Sequence, residues 1–150
     1  MDNLIIIQTS PQFGGKFDEN RLILAAQAAI NLGSVAGDGD LSLVINDQDF
    51  IRELNSKFLG IDKPTDVLSF PAEEIDPDTG RLYLGDVIIS YPDALQQSKD
   101  GNHPLMAELE LLVIHGVLHL IGYDHNNSEE KARMWDIQDQ ALEMIRQKES

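Results

Sequence analysis

The sequence predicts a mixed α/β fold, a small four-stranded mixed sheet packed with helices. Three observations lead there. Four short runs rich in Ile, Leu and Val read as strands. Segments with helical apolar periodicity separate the first three runs. Between the third and fourth runs there is only a turn-rich, acidic stretch with no helical pattern.

Residues 4–7 are almost wholly isoleucine and leucine and read as a buried strand. Pro11, Gly14 and Gly15 mark a loop. Asp18 suits the N-cap of a helix over 19–32, with Leu22, Ala25, Ala26, Ala29 and Ile30 on one face and Gly33 at its end. Gly37 and Gly39 continue the loop. Leu41, Leu43 and Ile45 alternate with Ser42, Val44 and Asn46, the period of a second strand. Asn46 or Asp47 caps a helix to about Phe58, whose apolar face is Phe50, Ile51, Leu54 and Phe58.

After a loop over 60–64, residues 66–70 read as a third strand stopped by Pro71. The acidic stretch 73–80 is expected to be an exposed excursion. Residues 81–90 form a fourth strand through Leu82, Leu84, Val87 and Ile89, and a short helical piece follows Pro92. A strongly apolar helix spans 105–121. Asn127 or Ser128 caps a last helix to about Arg146, packed through Trp135, Ala141, Leu142 and Ile145. Helical connections make the early strands parallel. The turn-rich connection makes the fourth strand antiparallel, and it is expected at an edge.

A length of 150 residues fits one domain, residues 1–150, with a core of its own. Apolar residues make up 42% and are spread throughout, which excludes disorder despite a net charge of −15. That charge repels nucleic acid at long range, so any nucleic-acid function has to overcome it. The run over 4–7 is too short for a signal peptide core or a membrane span, and the chain reads as cytoplasmic. There is no cysteine, so neither a disulfide framework nor a thiolate metal site is available. A metal must be held by His, Asp or Glu, and the chain has 4 histidines.

Three of these stand in the segment 115–125, HGVLHLIGYDH. His115 and His119 are at i and i+4, one turn apart on one helix face. Such a pair alone is often ordinary core or surface histidine. His125 changes the weighing. On a straight helix it would lie about 15 Å along the axis from His115, out of reach of a shared ion. Gly122 stands where the chain must stop and fold back. Three imidazoles and a breaker therefore form one device for a single zinc ion, with His115, His119 and His125 as ligands and a fourth position open to water. The fourth histidine, His103, lies outside the motif, and the run 109–114 reads as core.

The spacing matches that of metzincin zinc proteases, H-E-x-x-H-x-x-G-x-x-H, giving a metzincin-like site helix. It departs at Gly116, where those enzymes carry the glutamate that serves as general base. Glycine has no side chain to take a proton, so the usual route of peptide hydrolysis is not expected.

Together with this motif, KPTDVLSFP over 63–71 and LGDVIIS over 84–90, in the same order, closely resemble the YbeY family across most of the chain. The resemblance implies a metal-dependent endoribonuclease specific for single-stranded RNA. It also implies a role in 3′-end maturation of small-subunit ribosomal RNA and in ribosome quality control, with ribosome components as partners and neither membrane nor DNA expected. The family's three motif histidines correspond to His115, His119 and His125. Family members usually carry an arginine in the loop before the KPTDVLSFP stretch. Here Leu59 stands at that place, with Lys57 and Lys63 as nearby cations, and Lys63 is the candidate phosphate anchor. Asp124, beside the third histidine, is a candidate partner of an imidazole or proton acceptor, or simply a solvated turn residue. Asp66 and Asp86 are expected to be structural. Two other readings stay open: a zinc hydrolase of another substrate, and a non-catalytic ribosome-associated zinc module.

Overall fold

The computed structural model describes residues 3–33, 39–63 and 65–149; Gly37 and Pro64, both expected in loops, lie outside these. Four strands form one sheet in the order β1-β2-β4-β3: β1 Ile5–Thr9, β2 Asp40–Asn46, β3 Val67–Ile75 and β4 Leu82–Ser90. β1, β2 and β4 run parallel, and β3 runs antiparallel to β4. The α/β class and mixed sheet therefore match the sequence expectation.

The placement of the hairpin does not. The sequence made the fourth strand the antiparallel one and put it at the edge, whereas β4 is central and parallel to β2, and β3 is the antiparallel edge strand. Burial explains the exchange. β4 buries Val87, Ile88, Ile89 and Ser90 and needs cover on both faces, while β3 buries no residue and is exposed from Glu73 to Ile75. β3 also contains Pro71, which has no N–H to donate and is tolerated at an edge. Nor does Pro71 stop the strand. β3 continues to Ile75 across a register irregularity between Pro71 and Glu74, where Glu73 takes a positive φ of 49°. The acidic stretch is thus strand at its start, while all of 73–80 is exposed as expected. β1 is the other edge. Of its expected buried run only Ile5 is buried, and Ile6 is 43% exposed.

Five α-helices surround the sheet among the described residues: α1 Glu19–Gly33, α2 Gln48–Leu59, α3 Tyr91–Asp100, α4 Leu105–Leu120 and α5 Ser128–Glu149. α4 packs on the sheet face that carries Val67 and Val87. α1, α3 and α5 pack in turn against α4. α2 lies over the opposite face, where Phe50, Leu54 and Phe58 border a cavity with Val44, Phe70 and Ile88. The caps follow local chemistry. The Asp47 carboxylate accepts from the Phe50 N–H at 2.9 Å, and Asn127 does the same for Glu130 at 2.9 Å. α3 starts at Tyr91, before Pro92, because the Ser90 hydroxyl caps it and proline is tolerated in a first turn.

Two packing expectations need correction. Phe58 is 60% exposed at the end of α2, where its ring meets Phe70 edge-on and Lys57 Nζ lies over it, 5.4 Å from the centroid. Trp135 is 39% exposed; α5 buries Ala141 and Ile145 and packs Leu142 on the core as expected, but at its start it is Met134, not Trp135, that is buried. No helix among the described residues is long and apolar enough to cross a membrane.

Candidate metal centre

α4 is one of the most deeply buried elements, and His115 and His119 project from its C-terminal half as half-buried side chains. The helix ends in a six-to-one closure: the Tyr123 N–H reaches the Leu118 carbonyl at 2.9 Å and the Gly122 N–H reaches the His119 carbonyl at 3.1 Å. Gly122 makes this possible by taking φ 110°, a conformation that side chains disfavour. The chain then turns back, and the Tyr123 hydroxyl donates to the Gly33 carbonyl at 2.9 Å, pinning the turn to the end of α1. This reversal brings His125 beside the pair. One ring nitrogen of each of the three histidines lies within 4.8 Å of the other two.

Hydrogen bonding prepares these nitrogens as ligands. His115 Nδ1 lies 2.6 Å from Oε1 of Gln138, a buried acceptor on α5. That contact requires the proton on Nδ1 and leaves the Nε2 lone pair free. His115 Nε2 faces His119 Nε2 at 3.0 Å. Two nitrogens bound tetrahedrally to one zinc ion stand about 3.3 Å apart, so the donor set fits such an ion with little adjustment. Burial pushes the His119 pKa down, and the neighbouring His115 and His125 push it further, which favours the neutral, ligating form. The group is therefore suited to a cation of the zinc type.

The Asp124 carboxylate accepts from the His125 backbone N–H at 2.8 Å and from the Asn126 amide at 3.0 Å. Those contacts, the His125 N–H above all and then the nearby His119, hold its pKa below the usual carboxylate value. Asp124 thus braces the turn that presents His125. The three histidines open on a cleft of about 460 Å³, whose remaining lining comes from the β3 edge: Thr65, Asp66, Val67, Leu68, Ser69 and Pro71. The Ser69 hydroxyl donates to the Gly116 carbonyl at 2.7 Å and ties that edge to α4.

Lys63 is exposed and Leu59 is 53% exposed; neither lines the cleft. Asp66 does line it, with one carboxylate oxygen accepting from Gln97 at 3.2 Å. Asp86 accepts from the Tyr83 hydroxyl and borders the cavity on the α2 side. His103 is remote from the cluster in role. It pairs with the buried Glu108 at 2.6 Å, and that carboxylate raises its pKa.

Gln138 is the residue that sequence reasoning missed. Its signal was an amide on the buried stripe of α5, between Met134 and Ala141. Gln138→Leu is expected to weaken metal affinity about 10- to 100-fold, the usual effect of losing a group that orients a ligating imidazole. Competition with a chelator measures this, and an unchanged affinity would show that the His115 ring needs no such anchor.

Comparison with known proteins agrees with this architecture. Residues 13–146 match the family described as Endoribonuclease YbeY. A Moorella thermoacetica protein of that name is 45% identical over 122 residues, covering 77% of this chain and 76% of its own length. The Brevibacillus brevis relative is 41% identical over 139 residues, covering 85% and 86%. A Thermotoga maritima protein solved in solution superposes with a TM-score of 0.65 at 31% identity, covering 95% of this chain and 89% of that one. The matched residues include the whole histidine helix, its glycine turn and the edge strand of the cleft, and on that coverage the chain belongs to the YbeY family.

Proposed function

We propose that this chain is a zinc-dependent endoribonuclease that cuts single-stranded RNA in the cytoplasm, in the 3′-end maturation of small-subunit ribosomal RNA and in ribosome quality control. The carrying observation is the cluster of three imidazoles, mutually within 4.8 Å, opening on a cleft walled by a strand edge. Family membership supports the substrate class: the relatives carry the name endoribonuclease. We read the 150 residues as one domain.

In this mechanism His115, His119 and His125 hold one zinc ion, and Gln138 keeps His115 in the ligating tautomer. When bound, zinc supplies the Lewis acidity that makes water or a ribose 2′-OH a nucleophile near neutral pH. Asp124 holds the turn that carries His125. Asp66 is the carboxylate of the cleft wall and so the better-placed proton acceptor; both oxygens of Asp124 already accept hydrogen bonds within its own turn. Lys63 serves as a phosphate anchor on the approach to β3, in place of the arginine that Leu59 replaces. With a net charge of −15, RNA affinity is weak alone, and magnesium ions or a ribosomal partner assist.

Leu59 is the observation that favours a second reading, a ribosome-associated zinc module without catalysis. One experiment separates the two. Metal-stripped protein is expected to leave single-stranded RNA intact, zinc-restored protein to cut it, and neither to cut casein. RNA left intact by the zinc-loaded protein would favour the module, and chelator-sensitive cleavage of casein would overturn both readings.

A further inference from the structure

Trp135 is the chain's 1 tryptophan, and α5 leaves it 39% exposed beside the metal centre. Its ring centroid lies 5.9 Å from that of His115 and 5.9 Å from that of His125, with the planes nearly perpendicular at 88° and 84°. It adjoins the cleft through these two histidines. One helical turn earlier, Lys131 places its Nζ over the indole ring, 5.5 Å from the centroid, so a base stacking on that face takes the place of the ammonium. A partly exposed indole and a cation over its ring thus stand together next to candidate ligands, on a chain whose net charge is −15.

We propose that Trp135 is a nucleobase platform: it stacks one unpaired base of the RNA, next to the nucleotide whose phosphate lies at the histidines, while Lys131, displaced from the indole by the base, swings on its flexible stem to the adjoining phosphate. The assignment rests on RNA being the substrate. Its chemistry is that of single-strand binding sites, where an aromatic face takes any base and a neighbouring cation follows the backbone. It also supplies a cause for single-strand preference. A base inside a duplex is already stacked on both faces and must be extruded before it can reach an indole. The competing role for Trp135 is to shield the imidazoles from water, which an aliphatic side chain would do equally well.

Because the indole is alone in the chain, its fluorescence reports on this site directly. Zinc-loaded protein is titrated with a single-stranded 2′-O-methyl oligonucleotide, with an abasic strand of equal length, and with a blunt duplex. Saturable quenching by the first alone is expected. In RNA cleavage, Trp135→Leu is expected to raise KM about 5- to 100-fold, the loss of one stacked base, and to lower kcat less. Trp135→Phe is expected to recover most of that loss. Equal quenching by the abasic strand, or a Trp135→Leu enzyme of wild-type KM, would overturn the platform. If Trp135→Leu does not fold, the titrations of the unaltered protein still decide. Base-dependent quenching without RNA cleavage would support the platform and count against the nuclease reading. Cleavage with no quenching would do the reverse.

Discussion

His119→Ala is expected to leave the purified protein with almost no bound zinc, against close to one ion per chain in the unaltered protein. His119 sits between the other two candidate ligands, its ring centroid 4.5 Å from that of His115 and 5.3 Å from that of His125. Without it two imidazoles remain, too few for a tight site of this kind. The chain has no cysteine to compensate, and both oxygens of the nearby Asp124 already accept hydrogen bonds from its own turn. RNA cleavage is expected to fall at least about 100-fold, since a catalytic metal contributes several kcal/mol to the transition state. The fold should survive, because the side chain faces the cleft and the apolar positions of α4 are untouched. Metal analysis and a cleavage assay on the same preparation check this. Zinc retained at full stoichiometry would remove His119 from the ligand set.

Gly116→Glu is expected to yield no folded protein, and so no peptidase. From the spacing alone, this change looks like the restoration of a protease base. The structure places position 116 elsewhere. A Cβ there would lie 2.5 Å from Val87 Cγ1 and 3.1 Å from Val67 Cγ2, so the position faces the sheet. Val87 is fully buried and stiff about χ1, so it cannot swing away. A glutamate would bring further atoms and an unpaired charge into the same contact. The milder Gly116→Ala isolates the steric effect. Alanine gains up to about 1 kcal/mol in helix propensity, but overpacking costs about 1–3 kcal/mol, and a net loss of about 1–2 kcal/mol is expected. For a chain of this size that is roughly 2–8 °C in Tm. A Gly116→Ala protein that melts at or above the wild-type temperature would show that α4 does not approach the sheet so closely.

The strand and helix segments, the α/β class and the three-histidine device were legible because each depends on neighbours in sequence. A pair at i and i+4 shares a helix face in any helix, and a glycine just past the pair can reverse the chain through its own backbone freedom. The parallel start of the sheet was legible too, from its helical connections. The edge assignment was not. A turn-rich link establishes that β3 and β4 pair antiparallel, but not which of them meets β2. That choice was made by burial on both faces of β4 and by Pro71 in β3. Gly116 shows the same limit: its identity excludes a carboxylate at that position, while only the packed sheet shows that none would fit.

By itself, then, the sequence determined the elements, the class of fold and the three candidate ligands, since periodicity, caps and turns act through local backbone geometry. Tertiary structure alone decided the strand order, the Gln138 contact with His115, the exposure of Trp135 and the use of the β3 edge as a cleft wall. Each of these joins residues far apart in the chain. Their positions depend on the rotation at which α5 docks and on which strand takes the buried central place, and both are settled by packing of the whole core.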